Sequence, residues 1–216
     1  MDEKMSTQHE GLQFFGRVSA SVSHEIKNVF AVINEASGLI EDFTRMAERG
    51  MPIQPERLRK AANAIQGQVQ RGDRIVKNMN AFAHSTDEPV REVDLVETLG
   101  LVVALTSRLA DMKQVRLTTG VCEPVSQSAN PFDLLRLLHS SIAATLETMS
   151  AGDTLAIGVK PVDDGASFSL SIPGKDAPSV TLDSFSSLAQ AMNASLSKDE
   201  ANSTCELLLP AARGSV

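Results

Sequence analysis

Apolar residues spaced seven apart dominate the first third of the chain and decide what it can fold into. Phe15, Val22, Val29, Ala36 and Phe43 form one such row, and Ile26, Ile33 and Ile40 form a second beside it. At about 100° of rotation per residue, both rows fall on one stripe of a single helix. Residues 6–48 therefore read as one long helix. Gly50, Pro52 and Pro55 punctuate the turn after it. Pro55 suits the first position of a new helix, because its missing N–H has no partner there anyway. From Pro55 to about Ser85 the pattern repeats. Leu58, Ile65, Gly72 and Met79 make one seven-residue row, and Ala62, Val69, Val76 and Ala83 make another. Two long helices joined by a short turn give an antiparallel hairpin. A lone hairpin cannot bury stripes of this length, whereas two hairpins paired into a four-helix bundle can. A homodimer is the expectation.

The pattern changes after residue 85. Thr86 to Val93 reads as a polar linker containing Pro89. Asp94 to about Met112 reads as a helix, Val115 to Val121 as a strand, and Pro131 to about Met149 as a second helix. Leu155 to Val159 and Ser167 to Ile172 read as paired strands around the Asp163-Asp164-Gly165 turn. Ser184 to Asn193 reads as a short helix and Cys205 to Pro210 as a last strand. The expected fold is α+β, a helical hairpin over residues 1–88 followed by an α/β sandwich over 89–216 with helices on one sheet.

Composition narrows the function. A net charge of −7, with neither Trp nor Tyr, speaks against nucleic acid as the main partner. Cys122 and Cys205 have no metal-site spacing and suit a reducing compartment. No run approaches the roughly 18 apolar residues of a membrane span, and the polar N-terminus lacks a signal-peptide core. The expected location is cytoplasmic, with no membrane partner.

On the first helix His24 points roughly 145° away from the centre of the apolar stripe, so an imidazole faces water. A lone exposed histidine carries little information, but this one lies in the run Ser23-His24-Glu25-Ile26-Lys27-Asn28. That run resembles the phosphoacceptor box of sensor histidine kinases: serine, histidine, an acidic residue, two variable positions, then asparagine or threonine. Many members carry proline five residues after the histidine, where this chain has Val29. The order of elements in the second half is similar to the ATP-binding domain of the same family, down to the last strand ending in Leu209-Pro210.

The nucleotide chemistry of that domain has no counterpart here. Ser140 and Ala144 stand where the family places asparagines that hold Mg²⁺ and phosphates, and Ala144 offers no oxygen to a hard cation. The adenine-reading Asp-x-Gly-x-Gly loop is replaced by Pro173-Gly-Lys-Asp-Ala-Pro178, where Asp176 lacks glycines in register. The second glycine-rich loop and its lid have no room between Pro173 and Ser184, and no Walker-type loop occurs. Glu147, a base on paper, reads as a solvated helix residue. The whole chain thus resembles the kinase-like, two-domain bacterial histidine phosphotransferases, dimers whose second domain has lost ATP.

That resemblance implies a phosphorelay intermediate carrying a phosphoryl group on His24. Glu25 would orient the ring, Lys27 (about 60° from His24 by helix rotation) would steer phosphate, and Asn28 would position phosphate or water. It implies no cofactor of its own, with Mg²⁺ supplied by the partner. The implied partners are response-regulator receiver domains and a hybrid histidine kinase. His9, His84 and His139 read as bystanders. Two alternatives stay open: an ATP-dependent kinase core with an atypical nucleotide site, and a non-catalytic adaptor that mimics a kinase hairpin.

Overall fold

The computed structural model describes residues 2–178 and 186–211, and side chains from residue 8 onward. The fold is α+β: two long helices followed by helices packed on a sheet. Helix α1 spans Asp2–Glu48 and α2 spans Pro55–His84. Gly50 makes the turn between them with φ of +80°, a conformation open to glycine at no steric cost. By their contacts, Gly16–Asn80 form one compact unit, while the chain up to Phe15 and from Ala81 onward forms the other.

Within the hairpin unit, Val18, Val29 and Ala36 of α1 are buried, as are Ala61 and Ile75 of α2. Gly72 lets the helices close on each other, since a Cβ there would sit 3.4 Å from Val29 Cγ1. One α1 row thus faces the α2 row that holds Gly72, although the buried Ala61 and Ile75 belong to neither α2 row read from the sequence. In the second α2 row, Val69 and Val76 are 56% and 49% exposed. Phe30 on α1 is 64% exposed.

Past the end of α2, the other unit continues with β1 (Arg91–Asp94), which starts inside the stretch that reads as a linker. It pairs antiparallel with β3 (Ser126–Ala129), from Arg91 opposite Ala129 to Asp94 opposite Ser126. Asp94 then caps α3 (Leu95–Met112), its carboxylate accepting from the N–H groups of Val96 and Glu97. Strand β2 spans Arg116–Cys122. Asn130 caps α4 (Pro131–Glu147), accepting from Asp133 N–H, and Pro131 fills the first helical position. Strands β4 (Thr154–Val162) and β5 (Gly165–Ser171) form the expected hairpin. Gly165 has φ of +141° and packs so closely on the Leu209 carbonyl that no Cβ fits. The chain ends with α5 (Ser186–Ala191), β6 (Ser195–Asp199) and β7 (Thr204–Pro210). The expected start of α5 at Ser184, and the second half of the 173–184 stretch where a lid was sought, lie outside the described residues.

The main sheet has the order β2-β4-β5-β7-β6, with β2 parallel to β4 and every other pair antiparallel. Its core is aliphatic. Leu99, Leu134, Ile142, Ile157, Phe168 and Leu207 are almost wholly buried. At about 1.5–3 kcal/mol for each such side chain, this face alone supplies a large part of the driving force for the unit.

An aromatic cluster ties the two helix ends into this unit. Phe14 meets Phe82 edge-on at 5.5 Å, and Phe82 stacks on Phe15 at 5.2 Å. Phe132 of α4 lies 5.7 Å from Phe14. Beside them the buried guanidinium of Arg136 pairs with Asp133 at 3.2 Å and Glu10 at 3.4 Å. Two charges on one buried guanidinium offset its desolvation.

Candidate functional site

Residues 23–28 lie near the middle of α1. Ser23, His24, Lys27 and Asn28 are exposed, Glu25 and Ile26 are half-buried, and Val29 is buried. The reason is the helical repeat. Val29 and Ile26 turn towards α2, so the residues one third to one half of a turn away project into water. His24 enters none of the hydrogen bonds or ion pairs found among the described residues. Its ring is open to an incoming group.

Glu25 is placed differently from its neighbours. Its carboxylate reaches across the helical seam to Arg71 of α2, with Oε2 3.7 Å from the guanidinium. Sequence reasoning singled out Glu25 but missed Arg71. The signal was there. Counting out from the turn at Gly50 sets residue 25 of α1 opposite about residue 75 of α2, and Arg71 lies one helical turn along from that level. Lys27 and Asn28 are exposed on the same helix as His24.

The other three histidines occupy different settings. His9 Nε2 lies 2.9 Å from Gln13 Nε2. His84 Nδ1 lies 2.8 Å from Asp87 Oδ2 at the end of α2. His139 packs its ring on Phe14 at 5.0 Å, in the aromatic cluster. Glu147 is exposed and bonded to Lys113 at 2.7 Å, the solvated setting expected of it.

Residues 140 and 144 sit half-buried on α4, and the hydroxyl and methyl there are the only functional groups they contribute. After β5, the loop holding Asp176 borders an open cavity of about 870 Å³ lined by Thr148, Ile172, Lys175, Pro178 and Asn202 among others. Lys175 does not face an open ligand site unengaged, since Nζ contacts both carboxylate oxygens of Asp153 at 2.7 and 2.9 Å. That bond, followed by the Ser150 N–H, holds the Asp153 carboxyl below the usual carboxylate range. No group of three or more His, Cys, Asp or Glu suited to a metal occurs among the described residues. Cys122 and Cys205 are both free thiols, and burial pushes the Cys205 thiol up. None of the described helices is long and apolar enough to cross a membrane.

No family model matches the chain. It is 24% identical over 160 residues to sensor protein DegM of Bacillus sp. (strain B21-2), a match covering 74% of this chain. The chain spans only 39% of that relative's length. Among solved structures it is similar to a bacterial phosphotransferase, with 13% identity and a TM-score of 0.48 over 90% of this chain and 95% of that one. It is also similar to the histidine kinase AdeS of Acinetobacter baumannii, with 11% identity and a TM-score of 0.44 over 88% of this chain and 98% of that one. Against the ATP-binding domain of PrrB from Mycobacterium tuberculosis, identity is 15% and the TM-score 0.46, over 58% of this chain and all of that one.

Proposed function

We propose that the protein is a phosphorelay histidine phosphotransferase, passing a phosphoryl group through His24 between aspartates of response-regulator receiver domains without using ATP. The observation that carries this reading is the exposed, unengaged imidazole of His24 inside the Ser-His-Glu-Ile-Lys-Asn run of a helical hairpin. Similarity to a protein named as a sensor points to the same kind of signalling.

The chemistry asks little of the protein. A neutral imidazole carries a lone pair on Nε2 that can attack phosphorus. Nε2 forms the N–P bond as the P–O bond of the receiver's aspartyl phosphate breaks, and the electron pair leaves on the aspartate carboxylate. The Nδ1 proton is lost to solvent or to a carboxylate. Lys27 and Asn28 steer and position the phosphoryl oxygens. The receiver brings Mg²⁺, a hard cation that prefers carboxylate and phosphate oxygens. The seven-residue row of Val69 and Val76, together with Phe30, supports a homodimer, because paired hairpins cover such a face.

Incubating the protein with phosphorylated receiver domains tests the reading. The wild-type chain gains acid-labile phosphate and His24→Ala does not. Equal labelling of the two proteins overturns it. A second reading, an ATP-dependent kinase core, draws on the cavity beside Lys175. Micromolar binding of a non-hydrolysable ATP analogue favours that reading, and no binding leaves the relay.

A further inference from the structure

Four ion pairs are found among the described residues of the hairpin unit, and one of them differs in kind from the rest. Glu41–Arg45, Glu56–Arg59 and Asp73–Lys77 each join residues three or four apart on one helix, with every side chain more than 60% exposed. Pairs of that sort decorate a solvated helix face and contribute a few tenths of a kcal/mol. Glu25–Arg71 instead joins the two helices, and its carboxylate is only 15% exposed while the guanidinium is 45% exposed. It is also the pair that adjoins His24.

We propose that Arg71 is the residue α2 contributes to the His24 site, a binder of the phosphoryl group, with Glu25 as the anchor that holds its guanidinium in place. The proposal rests on the phosphotransferase reading of His24 and adds to it a second helix. A half-buried carboxylate is a fixed partner, since it has left most of its water and gains from the nearest cation. The guanidinium, in contrast, keeps part of its surface in water. One contact of 3.7 Å uses little of a fork with five N–H donors, so donors remain for another anion. Guanidinium geometry matches two oxygens of a phosphoryl group at once, which an ammonium such as Lys27 cannot do. The phosphoryl oxygens gain negative charge density as the group moves to nitrogen, and a cation held beside them lowers that cost. This gives Glu25 a different task from the one its place beside the histidine suggests. Adjacent helix residues do not face each other, and Glu25 turns into the seam, where it positions Arg71.

Potassium phosphoramidate is the probe, because it carries a phosphoryl group and no receiver surface. Nε2 of His24 forms the new N–P bond while the P–N bond of the reagent breaks. Its nitrogen leaves as ammonia, and the Nδ1 proton passes to solvent. The full-length protein is treated, and phosphohistidine is quantified at each site by peptide mass spectrometry at alkaline pH. His9 and His84, both exposed, serve as references within the same chain. Arg71→Ala is expected to slow phosphorylation of His24 by about tenfold, as loss of a charge-assisted contact would, with His9 and His84 unchanged. Arg71→Lys is expected to recover only part of the rate, and Glu25→Gln to behave like Arg71→Ala without adding to it in the double variant. Circular dichroism and thermal melting check that each variant is folded, and Arg71→Lys keeps the test alive if Arg71→Ala is not. A His24 rate unaffected by either Arg71 substitution overturns the proposal while leaving the phosphotransferase reading standing. A slowed Arg71→Ala beside an unaffected Glu25→Gln overturns the anchoring role. Failure of wild-type His24 to take phosphate from phosphorylated receivers is a different result, and it removes the reading underneath.

Discussion

The two compact units of this chain treat apolar surface in opposite ways. From Ala81 onward, helices and sheet bury most of their large side chains against each other, and the apolar residues left exposed among the described ones are few and form no long row, with only Leu109 and Met112 one turn apart on α3. The hairpin unit leaves apolar residues exposed in register, with Val32, Leu39 and Met46 seven apart on α1 and Val69 and Val76 seven apart on α2. Scattered apolar residues are ordinary on a protein surface, whereas contiguous ones at helical spacing mark a face that something covers. One unit carries its own core, and the other leaves an apolar row exposed. His24 stands on the second.

The sharpest way to break this contrast is to charge the exposed row. Val69→Glu with Val76→Glu is expected to weaken self-association at least about a hundredfold, because two carboxylates would have to leave water at the interface. Analytical ultracentrifugation over a concentration series reads this. An unchanged weight-average mass would mean the row covers nothing. Next in size is Phe82→Ala, which removes the centre of the aromatic cluster and is expected to cost about 3–5 kcal/mol in chemical denaturation. Phe82 is fully buried against Phe14, Phe15 and Phe132. A loss under about 1 kcal/mol would show that the cluster is loosely packed. Asp94→Ala removes the cap of α3 and is expected to cost about 1 kcal/mol in the same measurement.

The smallest effect is one of pH. Asp153 has its folded pKa lowered by Lys175, so the stability this pair contributes is present above the ordinary carboxylate value of about 3.9 and fades as pH falls through the lower folded value. Lys175→Ala should therefore lower stability at neutral pH and leave it unchanged in strong acid. Carboxyl titration by NMR should show Asp153 moving up towards the usual range.

Much of this was legible from the residues alone. The starts of two helices, read at Asp94 and Pro131, fall within a residue of where α3 and α4 begin, whereas the capping by Asp94 and Asn130 emerges only from the structure. The hairpin could be read because a seven-residue repeat persists over so many turns. Strands β1 and β3 could not. Arg91-Glu92-Val93-Asp94 and Ser126-Gln127-Ser128-Ala129 are short and mostly polar, and they exist because they pair with each other across a wide gap in sequence. Gln127 adds a bond from Nε2 to the Pro210 carbonyl at 2.6 Å, which no local pattern could reveal. Strand β6 has a single apolar residue, Leu196, and is held by pairing with β7. Near the start of α1, Phe14 rather than Phe15 is the more deeply buried, because α4 presents Phe132 and His139 to it. At the site, His24 and its neighbours could be picked out one helix at a time, but Arg71 needed the register between two helices.

The central claim is that His24 is a phosphoryl carrier in a chain that needs no nucleotide. The direct measurement is transfer from a receiver domain that has been phosphorylated and freed of ATP, with the product mapped by mass spectrometry. Our account predicts one phosphoryl group per chain, stable in alkali, lost in acid, located on His24 and returned to a second receiver when one is added. Label that forms only when ATP is present, or that resides on another residue, would contradict it.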